Sequence, residues 1–120
     1  MSEGPVFRGL YIGGRWTEPE GRSRFSTINP TDGSPVGEFV SGKAEDVEAA
    51  VASARSAAEA WKETPAPKRG EILLSAASVL KRRKEEVART VTREMGKVIA
   101  EGRGDVQESI DFIEFMAGEG

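Results

Sequence analysis

The sequence predicts a mostly α-helical chain that carries a small β-ribbon at its N-terminal end. Turn residues and short extended runs fill residues 1–43, whereas apolar residues recur every third or fourth position through 44–120. No buried apolar run of the strand type follows residue 40. The 120 residues suit one ordinary domain. Much of the 38% apolar content is alanine, which buries little area, so we expect a thin core.

A hairpin is predicted close to the N-terminus. The run Leu10-Tyr11-Ile12 leads into Gly13-Gly14, and Arg15-Trp16-Thr17 resumes beyond the two glycines. Glycine adopts positive φ at little cost, so the pair suits a two-residue turn between antiparallel strands.

A second strand pair is predicted around the stretch FSTINPTDGSPVGEF. Residues 25–28 and 36–40 are its arms, and the turn cluster 29–33 lies between them. Pro30 and Pro35 limit these strands to short lengths or sheet edges. A two-stranded ribbon is at best marginally stable in water, so we expect it to pack on a surface outside these residues.

The first predicted helix covers residues 44–61. Its apolar stripe consists of Val47, Ala50, Val51, Ala54, Ala57, Ala58 and Trp61. Glu45 and Asp46 lie in the first turn, where acids favour the helix dipole. The N-cap is left open, because Lys43 occupies the natural position and Ser41 comes two residues early.

Further helices are predicted after the Thr64-Pro65-Ala66-Pro67 break. Residues 66–95 form one bent helix or two, and Gly96 suits a left-handed stop. The last helix starts either at Asp105, with Glu108 completing a capping box, or near Lys97. The second alternative places two glycines inside the helix, at a cost of about 1 kcal/mol each relative to alanine.

Composition excludes several classes of function. The chain has no cysteine and no histidine, which rules out disulfides, thiolate chemistry and histidine acid–base catalysis within it. Its net charge of -3, with basic residues spread among acids, argues against nucleic-acid or anionic-membrane partners. No apolar run approaches the roughly 18 residues of a membrane span. The N-terminus lacks the apolar segment of a signal peptide, so a cytoplasmic protein is expected.

Candidate sites are few when the residues are considered alone. Gly102-Arg103-Gly104-Asp105 contains an RGD tripeptide, but its glycines follow a helical pattern, which does not suit a phosphate loop. Ser75 and Ser78 have no histidine or other base to pair with. Three hypotheses remain open: part of a larger enzyme, a stand-alone helical binding or scaffold module without catalysis, and a regulatory fragment that pairs with full-length subunits.

A family resemblance favours the first hypothesis. The motifs that carry it are YIGGRW (11–16), INPTDGSPVGE (28–38), AEDVEAAVASARSAAEAW (44–61), PAPKRGEILLSAASVLKRRKEEVARTVTREMGK (65–97) and EGRGDVQESIDFIEFMAGEG (101–120). In this order they resemble the N-terminal portion of the NAD(P)-dependent aldehyde dehydrogenases.

The resemblance implies a fragment of a longer α/β enzyme. Residues 1–120 would be the first part of its Rossmann-like cofactor-binding domain, either truncated or encoded by a split gene. Such an enzyme oxidises an aldehyde to a carboxylic acid with NAD or NADP, and full-length members are expected to form homo-oligomers. The family's catalytic residues lie downstream, so the fragment alone is expected to be inactive.

Two sets of site residues follow from the resemblance. Backbone oxygens of Thr27 and Ile28, together with the carboxylate of Glu94, match positions at which some members bind a monovalent cation. Glu108 matches a position near the substrate tunnel, with Phe112 and Phe115 beside it. An acid there would favour an amino-bearing aldehyde. For both Glu94 and Glu108 the alternative is a solvated surface acid.

Overall fold

The computed structural model describes residues 6–119. Residues 1–5 and Gly120 lie outside the described residues. The prediction that no signal peptide is present rests partly on residues 1–5. Although the length was expected to form one domain, the contacts divide the chain into two compact units, 1–62 and 63–120. Because the helices at residues 66–82, 84–95 and 99–119 pack on one another, the second unit is compact by itself.

The first unit contains a hairpin and a small sheet. Strands β2 (Leu10–Ile12) and β3 (Arg15–Thr17) pair antiparallel. Gly13 and Gly14 have φ angles of 60° and 78°, which confirms the predicted hairpin turn.

The second ribbon belongs to a three-stranded sheet. Strands β4 (Arg24–Ile28) and β5 (Pro35–Val40) pair antiparallel as predicted. The expected N-terminal ribbon is confirmed, but this sheet has three strands instead of two, because β1 (Val6–Arg8) adds parallel to β5 and gives the order β1-β5-β4 among the described strands. A strand on each side of β5 satisfies the ladder hydrogen bonds that a lone ribbon leaves open.

Helix α1 (Ala44–Glu63) follows the sheet. Lys43 is its N-cap, since the backbone N–H of Lys43 donates to Asp46 Oδ2 at 2.8 Å and its carbonyl accepts from Asp46 N–H at 3.0 Å. The bond from the Lys43 N–H to the Asp46 side chain is one half of a capping box, and it resolves the open N-cap. Among the residues of α1, all of them described, Asp46 alone is buried. The apolar stripe of α1 is largely exposed; Val47, for example, is 62% exposed.

The second unit consists of three packed helices, α2 (Ala66–Arg82), α3 (Lys84–Met95) and α4 (Ile99–Glu119). Of the two predicted alternatives for 66–95, the structure has two helices, which meet at Arg83. The left-handed stop is confirmed, with Gly96 at φ 74° and its N–H bonded to Thr92 O.

Helix α4 runs through both of its early glycines. It starts at Ile99, so the alternative start at Asp105 with a capping box is wrong. The Asp105 carboxylate instead accepts from Lys97 Nζ at 2.6 Å. Gly102 is buried against α3, where an added Cβ would lie 2.9 Å from Ala88 O, whereas a Cβ on Gly104 would meet nothing within 4 Å. The absence of a side chain at Gly102, which also lowers its helix propensity, therefore allows α3 and α4 to pack this closely.

A small apolar core lies between α3 and α4. Its buried members are Ala88, Val106 and Ile110, and the partly buried Leu80, Val87, Val91 and Ile99 pack against it. No described helix combines the length and the apolar character that crossing a membrane requires.

Candidate functional site

The three predicted tunnel residues share one face of α4. Glu108, Phe112 and Phe115 are spaced four and three residues apart, so they follow one another along the helix. Glu108 is exposed, and Phe112 and Phe115 are 63% and 65% exposed. Val106 and Ile110, by contrast, are buried in the core. The described fold thus presents an acid and two phenyl rings together on an open helix face. Their role in a tunnel stays a prediction.

Two of the predicted cation ligands lie at an irregularity of β4. The register between β4 and β5 shifts between Thr27 and Ile28, and such a bulge takes one residue out of the regular ladder. Thr27 Oγ1 is buried and has no hydrogen-bond partner among the described atoms. A buried oxygen without a partner is unusual, and a hard cation nearby would use such an oxygen.

The third predicted cation ligand, Glu94, lies in the last turn of α3 and is exposed. It belongs to the second unit, whereas Thr27 and Ile28 belong to the first. Each residue is therefore described within its own unit, and their combination into one cation site stays a prediction. The described residues hold no group of three or more acidic side chains that suits a metal ion.

An ion pair that the sequence did not predict fastens the start of α1. Arg22 Nε donates to Asp46 Oδ2 at 2.6 Å, and Arg22 Nη2 donates to Asp46 Oδ1 and Glu45 Oε2 at 2.9 Å each. The side chains of Arg22 and Asp46 are only 13% and 11% exposed. We call Arg22, Asp46, Glu45 and the capping Lys43 the Arg22 clasp. The other three members lie 21 to 24 positions after Arg22 in the chain, and no local sequence pattern marks this pairing.

The clasp favours the ionised forms of both partners. Hydrogen bonds from the Arg22 guanidinium, and next from the Lys43 backbone N–H, lower the pKa of the Asp46 carboxyl to about 2. The same carboxylate raises the pKa of Arg22. A two-pronged guanidinium–carboxylate pair also fixes orientation, so the clasp holds the first turn of α1 against the loop between β3 and β4.

A shallow groove runs between the β2–β3 turn and α1. Small residues line most of it, and Ser53 Oγ would lie 3.4 Å from a Cβ on Gly13. Beside the groove, the rings of Tyr11 and Trp16 lie 5.1 Å apart in a tilted arrangement, and the Arg8 guanidinium lies 5.9 Å from the Trp16 ring centre. These contacts join the two strands of the hairpin and Arg8 of β1, and both aromatic rings remain exposed.

The RGD tripeptide is part of the helical packing. Arg103 donates to both carboxylate oxygens of Glu85 in α3, and Asp105 accepts from Lys97. The charged ends of the tripeptide therefore pair within the second unit, near the start of α4, rather than on an extended loop.

The family model described as the aldehyde dehydrogenase family matches residues 16–120. Malonate-semialdehyde dehydrogenase of Bacillus pumilus (strain SAFR-032) is 40% identical over 108 residues, which are 90% of this chain and 22% of that protein. Aldehyde dehydrogenase family 7 member A1 of Brassica napus is 37% identical over 112 residues, which are 92% of this chain and 22% of that protein.

Solved structures agree with these matches. The chain superposes on 1-pyrroline-5-carboxylate dehydrogenase of Thermus thermophilus with a TM-score of 0.90 and 37% identity, covering 94% of this chain and 22% of that one. A structure of 1-pyrroline-5-carboxylate dehydrogenase from Thermus with bound NAD gives a TM-score of 0.89 at 37% identity. The chain thus spans about a fifth of the length of these relatives, at 22% in each case.

Proposed function

Because the chain belongs to the aldehyde dehydrogenase family, we propose that it is the N-terminal part of an enzyme that oxidises an aldehyde to a carboxylic acid with NAD or NADP. The observation that supports this proposal is the family match over residues 16–120 together with the close superposition on a relative's structure. The chain has no cysteine, so the nucleophile that the family uses must come from elsewhere in the enzyme. By itself the chain is then inactive.

Its contribution to the enzyme is structural and electrostatic. The sequence has no glycine-rich loop between a strand and a helix, so it does not fit the role of the main phosphate contact of a dinucleotide. Instead, α1 and the open face of α4 offer exposed apolar surface that suits packing against a sheet of the cofactor-binding domain.

We propose substrate contacts on α4 and a cation site near β4. Glu108, Phe112 and Phe115 would line the approach to the active site, where the rings exclude water and the carboxylate attracts an amino-bearing aldehyde. The bulge at Thr27 and Ile28, with the unpartnered Thr27 Oγ1, and the Glu94 carboxylate would hold a monovalent cation. The complete enzyme would be cytoplasmic and homo-oligomeric.

A chimera tests the proposal. Residues 16–119 of this chain replace the matching segment of the Bacillus pumilus relative, and NAD reduction is followed with malonate semialdehyde. We expect a soluble chimera that reduces NAD, while the 120-residue chain alone shows no turnover. The matched control carries alanine at the relative's catalytic cysteine and should be inactive.

Two results would contradict the proposal. One is a folded chimera without activity; the other is a 120-residue chain that melts cooperatively as a monomer with no exposed apolar surface. The second result would favour the stand-alone scaffold module.

A further inference from the structure

The loop between β4 and β5 contains a chemically reactive dipeptide. Asp32-Gly33 is the only Asp-Gly pair in the sequence, and the sequence has no Asn-Gly pair. Both residues are exposed, and Gly33 has a φ angle of 72°. Glycine lacks a side chain that would shield its backbone nitrogen, so this nitrogen can reach the carboxyl carbon of the residue before it.

The reaction open to this pair is formation of isoaspartate. The backbone nitrogen of Gly33 attacks Cγ of the protonated Asp32 carboxyl; the N–Cγ bond forms, the Cγ–OH bond breaks, and the amide proton leaves with the hydroxyl as water. Water then opens the five-membered succinimide ring. Opening at the α-carbonyl leaves the chain running through the Asp32 side chain, with one extra methylene in the backbone. Water is the only co-reactant, and nothing is oxidised or reduced.

The folded loop opposes this attack at both reacting groups. The Gly33 N–H donates to Asn29 O at 2.8 Å. The Asp32 Oδ1 accepts from Ser34 N–H at 2.9 Å and from Ser34 Oγ at 2.6 Å, which holds the carboxylate towards Ser34. Attack requires the protonated acid and its rotation towards the Gly33 nitrogen, so both sets of hydrogen bonds must break first.

We propose that Asp32-Gly33 is a modification site at which isoaspartate forms through a succinimide only when the loop 29–34 opens. The extra methylene changes the spacing between Asn29 and Gly33, so the modified loop loses the Gly33–Asn29 hydrogen bond that closes it. The β4–β5 hairpin then stays open at its tip. Modification thereby converts a transient opening of the loop into a lasting one.

The test measures isoaspartate at Asp32 in the full 120-residue chain. Folded chain and chain denatured in guanidinium chloride are aged at mildly acidic pH and physiological temperature, digested, and analysed by electron-transfer fragmentation. We expect the folded chain to accumulate isoaspartate about tenfold more slowly, which corresponds to a loop-opening free energy of about 1.4 kcal/mol.

A matched pair of serine variants isolates the contribution of the loop. Ser34→Ala removes the hydroxyl donor to Asp32, and we expect the folded rate to rise about threefold with the denatured rate unchanged. Ser41→Ala, beyond β5, should leave both rates unchanged. Equal rates in folded and denatured chain would overturn the proposal, and so would the absence of isoaspartate at Asp32 in denatured chain. A Ser34→Ala rate equal to that of Ser41→Ala would overturn it as well.

Discussion

The substitution Gly102→Ala tests whether α3 and α4 meet as closely as the structure indicates. A Cβ on Gly102 would lie 2.8 Å from Thr92 Oγ1 and 2.9 Å from Ala88 O. Thr92 Oγ1 is itself buried, and Ala88 O is fixed in the backbone of α3. The helices must therefore separate by a few tenths of an ångström, and forced overpacking of this kind costs about 1–3 kcal/mol.

Gly104→Ala is the matched control in the same helix. Both substitutions gain the helix propensity of alanine, about 1 kcal/mol, but a Cβ on Gly104 meets nothing within 4 Å. We therefore expect Gly104→Ala to stabilise the helices by about 0.5–1 kcal/mol and Gly102→Ala to lie about 1–3 kcal/mol below that variant. The propensity gain cancels in the comparison, so the difference reports the contact between α3 and α4.

Urea unfolding followed by helical circular dichroism measures this difference at one protein concentration. With a slope near 1 kcal/mol per molar urea for a small chain, the two midpoints should differ by about 1–3 M. The reasoning is refuted if Gly102→Ala raises the midpoint as much as Gly104→Ala does. That result would mean that α3 and α4 do not approach each other at Gly102.

Three further predictions follow from other contacts. Gly70→Ala should lower the urea midpoint as well, because its Cβ would lie 2.6 Å from Ala117 O between α2 and α4; an unchanged midpoint contradicts that packing. Asp46→Asn should reduce helix content near neutral pH, because the nearly buried Arg22 loses its nearly buried charged partner and keeps only the exposed Glu45. Folding lowers the pKa of Asp46 to about 2. The ionised Asp46 therefore stabilises the folded chain fully above a pH of about 4, and this contribution is lost as the pH falls through 2. The dichroism of the parent chain should approach that of Asp46→Asn across this range; a constant gap between the two would disprove the pKa argument. Isothermal titration of the 120-residue chain with NAD should show at most weak binding, and micromolar affinity would contradict the assignment of the cofactor contacts to other parts of the enzyme.

Local patterns in the sequence predicted most of the elements. The Gly13-Gly14 turn, the proline break at Pro65 and the left-handed Gly96 depend on backbone preferences of single residues, which act in any context. Strand β1 was missed because three residues carry too little pattern and their partner β5 lies about 30 positions away along the chain.

Contacts between distant residues were not visible in the sequence. Arg22 reads as one more charge in a polar loop, and only the fold brings it to Asp46. Gly102 reads as a weak point in a helix, and only the approach of α3 explains it. For the candidate site, Glu108, Phe112 and Phe115 came from the family resemblance; the structure places them on one face of α4, and what that face contacts stays a prediction.

The exposed apolar face of helix α1 is the clearest reason to expect that this chain packs against another protein surface. It has 20 residues, and among them, all described, only the aspartate of the Arg22 clasp is buried. Most helices in proteins gain most of their stability from packing an apolar face rather than from propensity. The clasp fastens α1 at its first turn, but it buries none of the exposed stripe that includes Val47, Val51 and Trp61. We therefore expect the apolar partner of that stripe to lie outside the first unit, in the sheet of the larger enzyme that we propose.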